Sequence, residues 1–302
     1  MGIGRDTGRL ATESANPTTA DIDLLPTEQM LRLIAEEDAK VASAVAREIP
    51  NIARAVDIIA ERMKEGGRLF FVGAGTSGRL GVMEAAECPP TFGTKPGQVK
   101  AIIAGGRRAL LRSIEGAEDS SEEAVSELKR VGLARLDSVV GIAASVGTPF
   151  VAGALRYARR VGASTVLICS NHADDPYADV VIELIVGPEV IAGSTRLKAG
   201  TATKMALNML TTSVMVRLGK TYGNLMVEVK PSSQKLRSRQ ERIVSTILGV
   251  GLAEARALLE ASGRDVKCAV LMGRFGITRL RAKRLLARFG GHLRRALGEE
   301  KG

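Results

Sequence analysis

A glycine- and hydroxyl-rich turn directly after a short apolar run constrains the fold of this chain more than any other feature. The run Arg68–Val72 has the composition of a buried strand, and the residues Gly73-Ala74-Gly75-Thr76-Ser77-Gly78-Arg79-Leu80-Gly81 follow it. Leu80–Cys88 is predicted to be helical until Pro89-Pro90 ends the helix. Glycines let the backbone approach a ligand closely, and the unpaired N–H groups at a helix start attract an anion such as phosphate.

The turn differs from the better-known nucleotide-binding loops. No lysine follows the glycines, which excludes a P-loop. Gly73, Gly75 and Gly78 satisfy the spacing G-x-G-x-x-G, but a dinucleotide site also needs an acidic residue at the end of the next strand. That strand is predicted at 99–104 and ends in Gly105-Gly106. The pattern favours the phosphate of a small molecule over NAD, with a simple packing turn as the alternative.

Strand and helix patterns alternate through the middle of the chain. Strands are predicted at 68–72, 99–104, 138–143, 165–169 and 180–186, with helices between most of them. Such alternation indicates an α/β fold with a doubly wound, mainly parallel sheet flanked by helices. We expect three parts: an N-terminal segment with helices, the sheet domain, and a small C-terminal helical module, at 1–65, 66–247 and 248–302.

A second hydroxyl-bearing turn follows the third predicted strand. Its residues are Ala144-Ser145-Val146-Gly147-Thr148, and Pro149 then suits the first turn of a helix. Ligands of open α/β sheets bind at the carboxyl ends of the strands. The two turns are therefore expected to face one crevice, and together they favour a phosphate site.

A glycine-containing loop, 187–196, precedes a long apolar helix predicted at 197–218. Ser194 or Thr195 is expected to cap this helix, whose apolar breadth indicates burial against the sheet or a partner subunit. Lys198 and Lys204 lie near its start, where they can meet an anion. For Lys204 a solvated surface position is an equal alternative. Residues 1–20 are predicted to be poorly ordered, although residues 14–19 can still cover a site.

Composition narrows the classes of function. The chain has 302 residues, a net charge of +10, three cysteines and two histidines. The widely spaced Cys88, Cys169 and Cys268 predict neither a metal site nor a disulfide framework, and they fit a reducing cytoplasm. Neither an apolar run of membrane-spanning length nor a secretory signal is evident. The basic C-terminal residues are interpreted as solvated helix faces, so no nucleic acid and no membrane partner is expected.

Carboxylates are the natural acid–base groups of this chain, because it lacks nucleophilic histidine and cysteine arrangements. Glu84 and Glu87 lie three residues apart on the helix after the first turn, and Glu115 and Glu118 repeat that spacing after the second strand. Most such pairs are solvated. The apolar neighbours of Glu87 are typical of a carboxyl group that holds a proton for donation.

Several strings together resemble one bacterial enzyme family, the N-acetylmuramic acid 6-phosphate etherases, which have a sugar isomerase (SIS) fold. The strings are GAGTSGRLGVMEAAECPPTFGTKPG, IAGG, EGAEDS, GIAAS, GPEVIAGSTRLKAGTATKMALNML and GNLMVEV. The resemblance runs from about Asn16 to the C-terminus. It implies a homodimeric lyase that releases D-lactate from the ether, leaves N-acetylglucosamine 6-phosphate, serves cell-wall recycling, and uses no metal or nucleotide cofactor.

The resemblance also implies roles for particular residues. Glu87 falls on the family's proton-donor glutamate and Glu118 on its second active-site glutamate. Elimination beside a carbonyl needs one group to take a carbon-bound proton and another to protonate the departing oxygen, which two carboxylates in opposite protonation states can do. The substrate- and phosphate-binding candidates are Gly75, Thr76, Ser77, Arg79, Ser145, Gly147, Thr148, Ser194 and Lys198.

The turn at Ser145-Val146-Gly147-Thr148 departs from the family, which commonly carries Ser-Gly-Arg-Thr there. This turn looks more like that of the related glucokinase regulatory protein, a sugar-phosphate sensor. A non-catalytic sensor that binds a protein partner is therefore one alternative function. A sugar-phosphate-responsive DNA-binding regulator is another, although residues 21–65 are not basic enough to suit it.

Overall fold

The computed structural model describes residues 11–231 and 233–298. Five parallel strands form one sheet in the order β2-β1-β3-β4-β5, as the alternating pattern predicts. They are β1 Leu69–Gly73, β2 Val99–Ile103, β3 Ser138–Ile142, β4 Ser164–Cys169 and β5 Val180–Glu183. Because the chain runs from β1 outward to β2 and then returns to β3 on the other side, the crevice of the fold lies between β1 and β3.

Twelve α-helices are present in the described part of the chain. They are α1 Thr27–Asp38, α2 Lys40–Arg47, α3 Ile49–Lys64, α4 Gly75–Phe92, α5 Ser121–Arg130, α6 Pro149–Val161, α7 Lys198–Arg217, α8 Gln234–Leu248, α9 Leu252–Ser262, α10 Val266–Phe275, α11 Arg279–Arg288 and α12 Leu293–Ala296. Helix α7 begins and ends within one residue of the predicted range, 197–218. The predicted α/β class, a parallel sheet with helices before and after it along the chain, is confirmed.

The turn between β1 and α4 is built on direct contact between two glycines. A Cβ atom on Gly73 would lie 2.9 Å from the backbone nitrogen of Gly78, and one on Gly78 would lie 2.6 Å from the carbonyl oxygen of Gly73. Gly75 adopts a φ of 52°, in the left-handed region that glycine tolerates best. These glycines bring the start of α4 directly onto the end of β1.

Two local predictions are wrong. Pro89 and Pro90 do not end α4, which continues to Phe92, and the Gly93 N–H donates to the carbonyl oxygen of Pro89 at 3.0 Å. Each proline lacks its own N–H bond and crowds the carbonyl four residues earlier, but it keeps helical φ. Cys88 and Phe92 are buried on either side of the proline pair. The chain after Pro89-Pro90 therefore gains enough packing to stay helical.

The N-terminal segment is the second exception. Residues 1–10 lie outside the described residues, but the predicted poor order is wrong for residues 11–20. Asn16 caps a short 3₁₀ helix at Pro17–Thr19, and Thr12, Asn16 and Thr19 are buried. The Thr19 hydroxyl donates to the Val190 carbonyl at 2.9 Å, so this segment is bonded to the loop that precedes α7.

Contacts divide the described chain into two compact units. The first comprises the described parts of Met1–Ala86 and Gly97–Thr211, and the second those of Glu87–Pro96 and Thr212–Gly302. The first has a core of strand and helix side chains that includes Phe70, Phe150 and Leu155, and the second has its own helical core. The predicted domain boundaries near residues 65 and 247 differ from this division and stay a prediction.

We expect Gly78→Ala to destabilise the protein by about 1–3 kcal/mol, because the added methyl group overlaps the Gly73 carbonyl and the Ile103 side chain. Gly251→Ala is the matched control, since no atom lies within 4 Å of its added Cβ and its φ is −67°. Denaturant unfolding of both variants tests this expectation. Equal stability of the two variants would show that the glycine contact does not constrain the turn.

Candidate active site

A cavity opens at the carboxyl ends of the central strands. Its volume of about 280 Å³ is close to the lower limit of roughly 300 Å³ for small-molecule sites. All its lining residues belong to the first unit. Those with polar or charged side chains are Glu13, Thr76, Ser77, Arg79, Ser113, Glu115, Glu118, Ser145, Thr148 and Thr195. The two hydroxyl-bearing turns thus face one cavity.

The start of α4 forms one wall of this cavity. Gly78 donates the first intrahelical bond, to the Ala74 carbonyl at 3.1 Å, so the N–H groups of residues 75–77 have no partner within the helix. Thr76 and Ser77 add hydroxyl groups on the same wall. N–H groups, hydroxyls and the positive end of the helix dipole together form a site for an anion.

The turn after β3 forms the adjacent wall. Ser145 and Thr148 line the cavity, and their hydroxyl oxygens lie 3.5 Å apart. Gly147 adopts a φ of 111° and gives the turn its shape, although it is not among the lining residues. Two hydroxyls at this spacing suit the oxygens of one phosphate group.

The loop after β2 brings carboxylates to the cavity. Glu118 lies in a 3₁₀ helix, Ala117–Asp119, which Gly116 begins with a φ of 72°. Glu115 accepts a hydrogen bond from the Ser113 hydroxyl at 3.0 Å. Both glutamates are exposed and line the cavity.

Arg79 lies one turn into α4 and lines the cavity. Its Nε–H donates to the carbonyl oxygen of Ala109 at 3.0 Å, which holds the guanidinium plane. Ala109 belongs to the 3₁₀ helix Gly106–Leu110 that follows β2. The guanidinium is therefore fixed on the β2 side of the cavity.

Glu13 is a cavity residue that sequence reasoning missed. It follows the buried Thr12, whose hydroxyl accepts a hydrogen bond from Asn171 at 3.0 Å and whose carbonyl accepts one from the Gly193 N–H at 3.1 Å. Asn171 also donates to the Ala144 carbonyl at 3.0 Å, next to Ser145. The sequence predicts that residues 14–19 can cover a site, and the segment that reaches the cavity begins one residue earlier, at Glu13.

Comparisons with known proteins identify the family. The chain is 52% identical to an N-acetylmuramic acid 6-phosphate etherase of Streptomyces avermitilis over 291 residues, which cover 95% of this chain and 93% of that protein. It is 54% identical to the one of Gloeobacter violaceus over 266 residues, 87% of each chain. This chain belongs to the N-acetylmuramic acid 6-phosphate etherase family. Residues 51–159 also match the sequence-family model of the glucokinase regulatory protein N-terminal SIS domain.

Most residues that the etherase resemblance suggested lie at this cavity. Gly75, Thr76, Ser77, Arg79, Ser145, Thr148 and Glu118 line it. Ser194 does not, although its neighbour Thr195 does. Glu87 is exposed on the last part of α4 and belongs to the second unit, so its convergence with Glu118 stays a prediction.

Lys198 lies in a buried ion pair in this etherase-family chain and does not line the cavity. Its Nζ is 2.5 Å from a carboxylate oxygen of Glu37, and the two side chains are 1% and 3% exposed. Burial raises the pKa of Glu37, but hydrogen bonds from Lys198 and Lys40 outweigh it and lower the pKa to about 2. The pair joins α1 to the start of α7.

Glu189 caps α7, so the predicted cap by Ser194 or Thr195 is wrong. Its two carboxylate oxygens accept the N–H groups of Lys198 and Ala199 at 2.9 and 3.0 Å. The fully buried Glu189 carboxylate satisfies two helix N–H groups at once, one with each oxygen. The loop that carries Thr195 is thereby fixed from both of its ends.

Glu84 and Lys204 form a second structural pair. The Lys204 ammonium donates to Glu84 at 2.8 Å, and the Thr211 hydroxyl donates to the other oxygen of the same carboxylate. Glu84 is buried and Lys204 half-buried. This network ties α4 to α7, and it explains why Glu84 and Lys204 do not face the cavity.

Other kinds of site are not found in residues 11–231 and 233–298. No group of three or more His, Cys, Asp or Glu side chains there is arranged to hold a metal ion. All three cysteines are buried, and burial raises the pKa of Cys169 and of Cys268 to about 12, which keeps these two thiols unreactive. Over the same residues, no helix combines the length and apolarity needed to cross a bilayer.

We expect Glu37→Gln to lower the free energy of unfolding at neutral pH by about 3–5 kcal/mol, because it leaves Lys198 buried without its partner. The folded-state pKa of about 2 lies below the ordinary 4.5. The stability contributed by the Glu37 carboxylate is therefore present above pH 4.5 and is lost as the pH falls toward 2. The difference between wild type and variant should shrink in that range.

Denaturant unfolding from neutral pH to about pH 3 measures this difference. Glu36→Gln is the matched control, because Glu36 is the exposed neighbour on the same helix and should follow wild type throughout. A Glu37→Gln variant whose stability stays parallel to wild type across the acidic range would contradict the role of the pair.

Proposed function

We propose that this chain is a lyase that cleaves the D-lactyl ether of N-acetylmuramic acid 6-phosphate to N-acetylglucosamine 6-phosphate and D-lactate. The observation that carries the proposal is the cavity, whose lining combines two hydroxyl-bearing turns suited to an anion with the carboxylate of Glu118. The chain shares about half of its residues with relatives that bear the etherase name, over nearly its whole length, and this supports the same substrate.

The phosphate is proposed to bind between the start of α4 and the turn after β3. Ser77 and Thr76 donate from one side, Ser145 and Thr148 from the other, and the free N–H groups of residues 75–77 complete the site. In the proposal, neutral donors from these two elements take the place of the arginine that the family commonly carries at this turn.

The proposed reaction is an elimination followed by addition of water. After the sugar ring opens to expose the carbonyl group, one carboxylate takes the proton from C2, and the C3–oxygen bond breaks. The departing lactate oxygen receives a proton, and water then adds to the double bond. We assign Glu87 as the proton donor and Glu118 as the second acid–base group, following the family resemblance, since positioned acids and bases of this kind accelerate proton transfer.

The chain is further proposed to act as a homodimer in the cytoplasm and in amino-sugar recycling of the cell wall. The apolar breadth of α7 supports the proposal of a partner subunit. Sedimentation equilibrium at assay concentrations tests the dimer, and a monomer that retains full activity would contradict it.

We expect Glu118→Gln and Glu87→Gln each to lower the rate of D-lactate release by at least about 100-fold, because each removes a positioned acid or base. Glu122→Gln is the control, since this exposed carboxylate on α5 does not line the cavity. An enzymatic D-lactate assay on folded protein measures the rates. Near-wild-type turnover in either variant would show that its glutamate does not have the proposed role. If the wild type binds N-acetylmuramic acid 6-phosphate without turnover, the sensor function is favoured instead.

We expect Ser77→Ala to raise KM about 10-fold, because it removes a hydroxyl donor to the phosphate dianion. Ser126→Ala, at an exposed position of α5, is the matched control. Steady-state kinetics of D-lactate release give both constants. A KM equal to that of the control variant would show that Ser77 does not contact the phosphate.

A further inference from the structure

Negatively charged side chains outnumber positively charged ones in the described lining of the cavity. Its described lining carries three carboxylates, Glu13, Glu115 and Glu118, and one cationic side chain, Arg79. The substrate of the proposed function has two anionic groups, the phosphate on C6 and the carboxylate of the lactyl group on C3. The positions of the donors decide which of these two anions the single cation binds.

The β3 half of the phosphate site, Ser145 and Thr148, and the Arg79 guanidinium lie on opposite sides of β1. The hydroxyls of Ser145 and Thr148 follow β3, whereas Ala109, which holds the Arg79 Nε–H, follows β2. The sheet order places β2 and β3 on the two sides of β1. With neighbouring strands about 4.8 Å apart, the two sides are separated by roughly 10 Å.

The phosphate already has enough neutral donors on the β1–β3 side. Four hydroxyl groups and the free N–H groups at the start of α4 face that part of the cavity. Elsewhere the described lining offers the lactyl carboxylate only the hydroxyls of Ser113 and Thr195 besides Arg79. The Ser113 hydroxyl already donates to Glu115, and the nearby glutamate side chains would repel the lactyl carboxylate. A lactyl carboxylate bound on the β2 side therefore needs the Arg79 guanidinium as its partner.

We propose that Arg79 binds the lactyl carboxylate and makes the cavity specific for the ether over the same sugar phosphate without its lactyl group. This inference rests on the proposed function. The bond to Ala109 occupies Nε and leaves both terminal nitrogens of Arg79 without a partner among the described residues. These two nitrogens form the fork that pairs with a carboxylate through two parallel hydrogen bonds.

Held in this way, the lactyl group is anchored at its far end while the C3–oxygen bond breaks. A fixed leaving group keeps that bond in one orientation relative to the C2 proton, which favours elimination. The product N-acetylglucosamine 6-phosphate has no lactyl carboxylate. It therefore loses the contact with Arg79 and keeps only the phosphate site.

The test compares one ether and one lactyl-free ligand in the full-length protein. We expect Arg79→Met to lower kcat/KM for N-acetylmuramic acid 6-phosphate by about 10- to 100-fold, the loss of a charge-assisted pair. The Kd of N-acetylglucosamine 6-phosphate, measured by calorimetry, should stay unchanged. Arg79→Lys should recover part of the loss, because it keeps the charge but not the fork.

Arg108→Met is the matched control, since Arg108 is an exposed cation on the same 3₁₀ helix as Ala109 and does not line the cavity. Weaker binding of N-acetylglucosamine 6-phosphate by Arg79→Met, in proportion to its loss of kcat/KM, would overturn the inference and assign Arg79 to the phosphate. An unchanged kcat/KM would overturn it as well.

Failure of the proposed function gives a different result. In that case wild type releases no D-lactate although it binds N-acetylglucosamine 6-phosphate. A substrate analogue whose lactyl carboxylate is a primary amide then still tests the contact by calorimetry. Wild type should bind the amide more weakly than the acid, and Arg79→Met should bind both equally; equal binding of the two by wild type would contradict the assignment.

Discussion

The backbone contact between Gly73 and Gly78 is the constraint on which the rest of the site depends. It leaves no room for a side chain between the end of β1 and the first turn of α4. The helix therefore starts directly above the central strand, with its unpaired N–H groups and the hydroxyls of residues 76 and 77 facing the crevice. The turn after β3 reaches the same crevice because β3 is the hydrogen-bonded neighbour of β1.

Buried polar pairs away from the cavity hold the segments around it. Glu37 and Lys198 join α1 to α7, and Glu189 caps α7 at the end of the loop that carries Thr195. Asn171 links the segment with Glu13 to the turn with Ser145. Such groups are costly to bury unless every one is paired. Their satisfied bonds keep loops that have little apolar surface of their own in one arrangement.

The sequence predicted the sheet and the cavity well, because both depend on local patterns. Apolar runs followed by glycine turns mark strand ends, and the carboxyl ends of neighbouring parallel strands must meet. It failed where long-range pairing decides. Nothing near Lys198 in the sequence shows that Glu37, 161 residues away, takes its charge. Glu13 was missed for the same reason, since its position depends on bonds from Asn171 and Gly193. The continued helix at Pro89-Pro90 depends on packing that periodicity does not reveal.

The central claim is that the two hydroxyl-bearing turns hold one phosphate group between them. A crystal structure with N-acetylglucosamine 6-phosphate soaked in tests it most directly. The account predicts phosphate oxygens within hydrogen-bond distance of the hydroxyls of Ser77 and Ser145, with the sugar directed toward Arg79 and Glu118. A phosphate group bound outside this cavity, with both turns free of ligand, would contradict it.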